Sequence, residues 1–346
     1  MILLSDSDNI VLIPVKIPGE NFHSLEPEFT IVEPINDYAA FSNDELAEIL
    51  PHTKAIVALT GINSDMIAKA LSLKVIVVNG AGFDHIDIAA ATARKIPVVN
   101  VPDTTAMTTA ELTLALMLDV MRKVTENDRQ LRNPVNNEEE IFQPGKNLSR
   151  NLCGKTLGIV GLGHIGSALA EICSPLKMNM IYTSRHRKPL AIEKAIRFVS
   201  FDELVETSDI ISIHCPFNKD SENLFSADVF QKMKNGAVLI NTARGKIVDY
   251  EALIHYLENG KLYGAGLDVF PDEPHIPTRL KQIDNVVLTP HISANTSEAR
   301  QAIADAVCDV IRKICRLGAG EYPYAFPGLI NPGILQKFER GSIHEN

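Results

Sequence analysis

Short apolar runs alternate with stretches of helical periodicity along most of the chain, and the alternation forms two series. Across the first hundred residues it predicts four strands, at 30–34, 55–59, 75–79 and 97–101. Apolar residues recur at helical spacing between them, which predicts helices at 43–50, 64–71 and 86–95. Because strands that alternate with helices form parallel sheets, the first series is predicted to be a small parallel α/β domain.

A long helix is predicted over 108–132, and the polar stretch 133–149 is predicted to be a surface loop. The second series begins at Thr156. Its six predicted strands lie at 157–160, 180–183, 210–214, 238–241, 265–269 and 286–289. A final helix is predicted at about 297–317. Six strands with intervening helices are typical of a doubly wound parallel sheet.

Composition and charge narrow the classes of partner. The 346 residues carry a formal net charge of −10 with no basic run or stripe that offsets it, which argues against a nucleic-acid partner. The apolar stretches are too short to cross a bilayer, and residues 1–8 lack the basic start of a signal peptide. The five cysteines are scattered without metal-site spacing. The sequence therefore predicts a reduced cytoplasmic protein with no membrane segment and no metal.

A glycine-rich turn opens the second series. Residues 156–166 read Thr-Leu-Gly-Ile-Val-Gly-Leu-Gly-His-Ile-Gly, which contains the pattern GxGxxG. Gly161 allows a tight turn, Gly163 lets the backbone approach a pyrophosphate, and Gly166 lets the helix pack closely on the strand. The start of the helix offers unpaired N–H groups to phosphates. The alternative is a βα turn without a ligand, and the order of strand, turn, helix and next strand argues against it.

The position of this turn in the middle of the chain predicts an inserted domain. The predicted fold is α/β with two Rossmann-like domains. A doubly wound dinucleotide-binding domain at 104–296 is inserted into a flavodoxin-like substrate domain made of 1–103 and 297–346.

Reactive side chains occur where three of the predicted strands end. Arg244 lies in the segment Ile-Asn-Thr-Ala-Arg-Gly, Glu273 in Gly-Leu-Asp-Val-Phe-Pro-Asp-Glu-Pro, and His291 in Leu-Thr-Pro-His-Ile-Ser. Each residue taken singly has a simpler explanation. Arg244 is then a solvated surface charge, Glu273 a turn residue before a proline, and His291 an interior histidine whose hydrogen bonds are satisfied. Together, in this order after a GxGxxG turn, they indicate an active site at the carboxyl edge of the sheet.

These segments resemble the D-isomer-specific 2-hydroxyacid dehydrogenase family over nearly the whole chain, and within it the glyoxylate/hydroxypyruvate reductase branch. The resemblance also includes 79–84 (Asn-Gly-Ala-Gly-Phe-Asp), 109–111 (Thr-Ala-Glu) and 214–216 (His-Cys-Pro). It implies that Arg244 anchors the substrate carboxylate, that Glu273 is the partner of the histidine, and that His291 is the acid/base. The other end of the carboxylate is then bound by the backbone N–H groups of Ala81 and Gly82.

The resemblance further implies a homodimer built largely on the cofactor domain, and a set of residues that contact the cofactor. Those residues are Thr109, Gly161, Gly163, His164, Ile165, Gly166, Ser184, Arg185, Cys215, Pro216, Thr242, Ala243, Asp268 and His291.

These residue types suit the reduction of a 2-oxo acid. The resemblance to the glyoxylate/hydroxypyruvate reductase branch implies that the acid is a small one of that kind and that the product is the D-2-hydroxy acid. A histidine can deliver the proton that the carbonyl oxygen needs, and a neighbouring carboxylate favours its imidazolium form. Arginine offers a planar fork to a carboxylate and stays charged at any working pH. The hydride would come from NAD(P)H, so the chemistry requires neither a metal nor a nucleophile.

The second strand of the series bears on the choice of nicotinamide cofactor. An NAD site usually has an acidic residue at the end of this strand, but the sequence continues Ser-Arg-His-Arg-Lys at 184–188 and has no acid before Glu193. Ser184 can hydrogen-bond a 2′-phosphate and Arg185 can pair with it, while Arg187 and Lys188 add positive field. We therefore predict a preference for NADP(H), with NAD(H) as the second cofactor. A solvated basic turn is the alternative.

Other functions remain open at the level of sequence. A formate dehydrogenase would have glutamine in place of the carboxylate partner of the histidine, so Glu273 argues against that activity. The motifs are compatible with a phosphite dehydrogenase. A dinucleotide-sensing corepressor keeps the same fold and catalytic residues, but it would be expected to carry recruitment tails or a basic patch, and the chain has neither.

Overall fold

The computed structural model describes residues 9–17, 21–189, 196–317 and 326–334. Residues 1–8 and Glu193, which two of the sequence arguments used, lie outside these ranges. The chain forms two compact units, one made of residues 1–105 and 295–346 and the other of residues 106–294.

The first unit contains a five-stranded sheet in the order β2-β1-β3-β4-β5, in which every pair is parallel. Its strands are β1 (Ile10–Leu12), β2 (Thr30–Val32), β3 (Thr53–Ala58), β4 (Val75–Val78) and β5 (Val98–Val99). Its first helices are α1 (Asn43–Ile49), α2 (Ser64–Lys69) and α3 (Ile88–Ala93). This is the flavodoxin-like strand order, so the predicted fold of the unit is confirmed. The sequence reading missed β1, which has only three residues.

Alternation along the strands explains why helices cover both faces of this sheet. Val57 and Val77 pack with the long helix of residues 297–315 on one face. Ile56 and Ile76 pack with α1 to α3 on the other. Side chains of a strand point alternately to the two faces, so a strand that is buried on both is apolar throughout, as β4 is.

The second unit contains a seven-stranded sheet in the order β12-β11-β10-β9-β6-β7-β8, again with every pair parallel. Its strands are β6 (Thr156–Val160), β7 (Asn179–Thr183), β8 (Arg197–Phe198), β9 (Ile210–Ile213), β10 (Ala237–Asn241), β11 (Leu262–Leu267) and β12 (Val286–Leu288). Its helices are α4 (Ala106–Arg122), α5 (Val124–Arg132), α6 (Glu138–Ile141), α7 (His164–Cys173), α8 (Phe201–Thr207), α9 (Ala227–Lys232), α10 (Tyr250–Glu258) and α11 (Thr278–Lys281). The helix α12 (Ser297–Cys315) belongs to the first unit.

In the second unit, three details of the structure differ from the sequence prediction. The sheet has the short edge strand β8 in addition to the six predicted strands. The predicted helix 108–132 is two helices, because Lys123 adopts a left-handed conformation (φ 55°) and the carboxylate of Asp119 accepts hydrogen bonds from the N–H and the hydroxyl of Thr125. The predicted loop 133–149 contains the short helix α6.

All strands of the second unit are parallel, so their carboxyl ends lie at one edge of the sheet. The first strand, β6, lies between β9 and β7, so the connections leave it in two directions. Ligands of such sheets bind at the carboxyl edge near this switch point. In the part of the chain that the structure describes, no helix is long and apolar enough to span a membrane.

Candidate active site

The glycine turn joins β6 to α7 and can be formed only with glycine at two of its positions. Gly161 has φ +99°, and a Cβ there would lie 2.7 Å from the backbone nitrogen of Cys215. A Cβ on Gly166 would overlap the carbonyl oxygen of Gly161. At Gly163 a Cβ would meet no heavy atom within 4 Å among the described residues, so space is open above the start of α7.

A cavity of about 400 Å³ lies beside this turn, at the carboxyl ends of β6, β7 and β9. The structure brings six of the predicted cofactor residues to its wall, namely Gly161, Gly163, Ser184, Arg185, Cys215 and Pro216. The open space at Gly163, the uncapped start of α7 and the basic side chains fit the adenosine and pyrophosphate half of a dinucleotide. His164 and Ile165 lie in the first turn of α7, outside the cavity lining.

The cationic side chains of the basic turn after β7 lie in two different places. Arg185 and Lys188 line the cavity, together with His186. Arg187 instead lies over the ring of Phe198, with its guanidinium carbon 5.6 Å from the ring centroid. The turn is held by the hydroxyl of Ser184, which donates to the carbonyl oxygen of His186 at 2.6 Å. Only part of the predicted positive field therefore borders the cavity.

His214 also lines the cavity; the sequence analysis placed it in the segment 214–216 but not among the residues that contact the cofactor. Burial lowers the pKa of its imidazole to about 3, so the ring is neutral at working pH. Its Nε2 lies 2.7 Å from the hydroxyl oxygen of Ser212, a fully buried residue of β9. The available signals were its place in that segment, beside Cys215 and Pro216, and its position immediately after a buried strand.

Thr109 and Thr242 lie close together although they are distant in sequence. The hydroxyl of Thr113 donates to the carbonyl oxygen of Thr109 at 2.7 Å, and its oxygen lies 3.0 Å from the hydroxyl oxygen of Thr242. All three residues are buried. Thr113 therefore connects α4 to the turn after β10, and its sequence context did not indicate this role.

Asp268 is fully buried and its carboxylate holds the segment that carries His291. One oxygen accepts hydrogen bonds from the Thr289 hydroxyl (2.6 Å) and the N–H of Ile292 (2.9 Å), and the other accepts from the N–H of Ser293 (3.0 Å). The backbone N–H of His291 donates to the carbonyl oxygen of Asp268 at 2.9 Å. The cofactor contact of Asp268 stays a prediction.

His291 and Glu273 form a hydrogen-bonded pair. The distance between His291 Nδ1 and Glu273 Oε2 is 2.7 Å, and Glu273 Oε1 accepts the backbone N–H of Phe270 at 2.9 Å. Burial alone would raise the pKa of Glu273, but the hydrogen bonds from His291 and Phe270 outweigh it and hold that pKa below its ordinary value. The carboxylate is therefore ionised at neutral pH, and the imidazole donates from Nδ1.

Arg244 follows β10 and is close enough to Glu273 to help lower the pKa of that carboxyl. Asn241 shapes the turn, since its side chain donates to the carbonyl oxygen of Arg244 (2.9 Å) and accepts from the N–H of Ala243 (3.0 Å). A Cβ on Gly245 would overlap the backbone of Phe270, so the two turns can pack together only with glycine there. The three predicted catalytic residues thus lie on adjacent turns of one sheet edge.

Tyr250 supports the turn that leads to Glu273, and the sequence reading missed it. It is buried, and its hydroxyl donates to the carbonyl oxygen of Val269 at 2.5 Å. Burial, with a smaller effect of Glu273, raises the pKa of this phenol, which is therefore a permanent donor.

The predicted substrate residues Ala81 and Gly82 belong to the other unit. They lie half-buried in the loop that follows β4, at the carboxyl end of that strand. Gly80, which begins the loop, has φ +130°.

Comparison with known proteins shows similarity over most of the chain. A family model for the NAD binding domain of D-isomer specific 2-hydroxyacid dehydrogenases matches residues 114–293. The glyoxylate reductase of Thermococcus litoralis is 38% identical over 329 residues, which cover 94% of this chain and 97% of that protein.

Two solved structures have the same arrangement of elements. A glyoxylate reductase from Paecilomyes thermophila superposes with a TM-score of 0.80 at 28% identity, covering 90% of this chain and 96% of that one. An NADPH-dependent glyoxylate/hydroxypyruvate reductase from Sinorhizobium meliloti, solved with NADP and malonate, superposes with a TM-score of 0.78 at 30% identity. That alignment covers 90% of this chain and 95% of the other.

Proposed function

The chain belongs to the D-isomer specific 2-hydroxyacid dehydrogenase family, and we propose that it reduces a small 2-oxo acid of the glyoxylate or hydroxypyruvate kind. It is an NAD(P)-dependent oxidoreductase, and its relatives include glyoxylate reductases. The observation that carries the proposal is the pair His291–Glu273, with 2.7 Å between Nδ1 and Oε2, beside Arg244 at the carboxyl edge of the sheet.

His291 delivers a proton to the carbonyl oxygen of the substrate during reduction. Its Nδ1 is held by Glu273, so Nε2 is the atom that carries the transferable proton. The ionised carboxylate stabilises the imidazolium form and fixes the orientation of the ring. A nicotinamide dinucleotide, when bound, supplies the hydride. In the reverse direction His291 takes the proton back.

Arg244 binds the substrate carboxylate, and the backbone N–H groups of Ala81 and Gly82 bind it as well. A guanidinium is charged at any working pH and matches the geometry of a carboxylate. Asn241 holds the backbone on both sides of Ala243, which limits the positions available to the Arg244 side chain. This anchoring keeps the carbonyl carbon of the substrate in one place.

NADPH is the preferred cofactor. Arg185 and Lys188 line the cavity beside the glycine turn and supply positive charge for a 2′-phosphate. The solved relative from Sinorhizobium meliloti, named as NADPH-dependent and bound to NADP, supports this choice.

The protein forms a homodimer through its second unit. Large apolar side chains are exposed in α5 and at positions outside the helices in the stretch that follows it, and an exposed apolar surface of this kind favours association. The exposed side chains are Val124, Leu131, Val135, Phe142 and Leu148.

A spectrophotometric panel tests the activity. Wild-type protein is mixed with NADPH or NADH and with glyoxylate, hydroxypyruvate, pyruvate and larger 2-oxo acids, and cofactor oxidation is followed. We expect turnover on the small acids. In His291→Ala kcat should fall by about two to four orders of magnitude, and in Arg244→Ala kcat should fall and the KM for the 2-oxo acid should rise. No turnover on any 2-oxo acid would refute the proposed function, and a phosphite-dependent reduction of NADP would replace it.

A further inference from the structure

The loop after β4 turns two backbone N–H groups away from the neighbouring strand β5. The carbonyl oxygen of Gly80 accepts the N–H of Val101 at 2.9 Å, and that of Ala81 accepts Asn100 Nδ2 at 2.7 Å. In a trans peptide group the C=O and the N–H point in opposite directions. The N–H groups of Ala81 and Gly82 therefore point away from β5, and neither donates a hydrogen bond within the described residues.

Two adjacent N–H groups at the end of a buried parallel strand, without an acceptor among the described residues, are suited to bind one anionic group. Successive backbone N–H groups that converge in a turn bind anions in many proteins. Gly80 permits the turn because its φ of +130° is available to glycine. On the proposed function, on which this inference rests, the anion is the carboxylate of the 2-oxo acid.

We propose that Asn100 is a positioning residue for the substrate carboxylate, and that the C-terminal segment 326–334 holds it in place. Asn100 is 8% exposed and does not belong to the loop it orients. Its amide is the donor that fixes the peptide group between Ala81 and Gly82. Without that donor the peptide group can rotate, and a carbonyl oxygen then replaces an N–H beside the carboxylate.

The C-terminal segment pairs with β5 next to Asn100. The carbonyl oxygen of Gly328 accepts the backbone N–H of Asn100 at 3.0 Å, and the N–H of Ile330 donates to Val98 at 2.8 Å. A Cβ on Gly328 would overlap the carbonyl oxygen of Asn100 and lie 2.9 Å from its Oδ1. Gly328 also has φ +87°, so any other residue there displaces Asn100.

Further along, Asn331 secures the same segment. Its Oδ1 accepts the N–H of Val98 at 2.9 Å, and its Nδ2 donates to the carbonyl oxygen of Ile96 at 2.9 Å. The order of contacts is therefore C-terminal segment, β5 and Asn100, substrate loop. Residues near position 330 thus act on a loop 250 positions earlier in the chain.

Three variants and two controls test this series of contacts from the C-terminal segment through Asn100 to the substrate loop. Asn100→Ala removes the donor, Asn100→Asp places an acceptor opposite the carbonyl of Ala81 at nearly unchanged volume, and Gly328→Ala displaces Asn100. Gly333→Ala is the matched control in the same segment, because a Cβ there meets nothing within 4 Å among the described residues. Asn9→Ala removes two side-chain hydrogen bonds elsewhere in the unit, from Nδ2 to the carbonyl oxygen of Glu28 and from Lys54 Nζ to Oδ1.

The readouts are the KM for the 2-oxo acid, the KM for NADPH, and calorimetric binding of oxamate, a non-reducible analogue, to the NADPH-loaded protein. We expect the three variants to raise the KM for the 2-oxo acid and the Kd of oxamate about tenfold or more, since a hydrogen bond to a charged group is misplaced. The KM for NADPH should change less than twofold, and both controls should match the wild type.

Unchanged KM for the 2-oxo acid in folded variants, or a parallel rise of both KM values, would overturn the role of Asn100 while leaving the proposed function intact. Failure of the wild type to reduce any 2-oxo acid would remove the proposed function, and this inference with it. If Asn100→Ala does not fold, as judged by thermal unfolding, the isosteric Asn100→Asp and the substitution Gly328→Ala, which leaves residue 100 unchanged, decide the matter.

Discussion

His291 adopts a backbone conformation that side-chain-bearing residues seldom take, with φ 53°. Such a conformation persists where the surroundings over-determine it. Here the N–H of His291 and the two that follow it all donate to Asp268, which is itself fully buried. The position of the imidazole therefore depends on one buried carboxylate behind it and on Glu273 beside it.

At the residue scale we predict the effect of removing the charge of Glu273. Reduction needs a proton from the imidazole of His291, whose ring is held by its hydrogen bond to Glu273. The pKa of Glu273 is held below its ordinary value, so this carboxylate is charged at neutral pH. Glu273→Gln removes that charge at nearly unchanged volume, so kcat at neutral pH should fall about tenfold or more, while the KM for NADPH changes less than about twofold.

The matched control is Asp272→Asn. Asp272 is the adjacent acid and is exposed, so its substitution should leave kcat unchanged. An equal loss of kcat in both variants would show that general surface charge, rather than the contact with His291, supports the reaction.

In the turn after β7, only some of the cationic side chains border the cavity. Arg185 and Lys188 line the cavity, while the strand β8 offers Phe198 as a stacking surface for Arg187. β8 has only two residues, and the sequence reading did not include it. A pairing of so few residues is decided by the tertiary context rather than by local pattern.

At the element scale we predict that two arginines of this turn differ in effect. Arg185→Ala should raise the KM for NADPH about tenfold or more, because it removes a charge-assisted contact to the 2′-phosphate, and should change the KM for NADH much less. Arg187→Ala is the control, and both KM values should stay within about twofold of the wild type. A wild type that prefers NADH in kcat/KM, or equal effects of the two substitutions, would contradict the assignment.

At the scale of the whole molecule, exposed apolar side chains are most frequent in one stretch of the second unit. Val135 is 89% exposed, Leu148 76% and Phe142 75%. They follow the break at Lys123, where the long apolar helix α4 gives way to the polar helix α5, in which no residue is buried.

We predict that this stretch mediates dimerisation. Light scattering coupled to size exclusion should give twice the chain mass of 38.0 kDa for the wild type, and the chain mass for Phe142→Asp/Leu148→Asp, because two charges would be buried without partners. Ile35→Asp, at a position 92% exposed in the first unit, should remain a dimer. A monomeric wild type, or a dimeric double variant, would exclude this surface.

Much of the fold followed from local pattern. Strands such as β4 and β6 are short apolar runs, and their alternation with helices predicted two parallel sheets, which the structure has. Because parallel strands end at one edge, the positions of Arg244, Glu273 and His291 after β10, β11 and β12 could also be predicted. The roles assigned to these three residues stay predictions, and so does the division into domains at 103/104 and 296/297.

The sequence by itself determined the fold class, the glycine turn and the residue types of the candidate site, because each depends on contacts between neighbours in the chain. Only the tertiary structure decided which residues, distant from one another in sequence, come into contact. Thr113 contacts Thr242 across 129 positions, Gly245 packs against Phe270, and Asn100 orients Ala81 while it is held by Gly328. Each of these contacts joins elements distant in sequence, so no local periodicity or spacing records it, and it exists only when packing has closed the intervening chain.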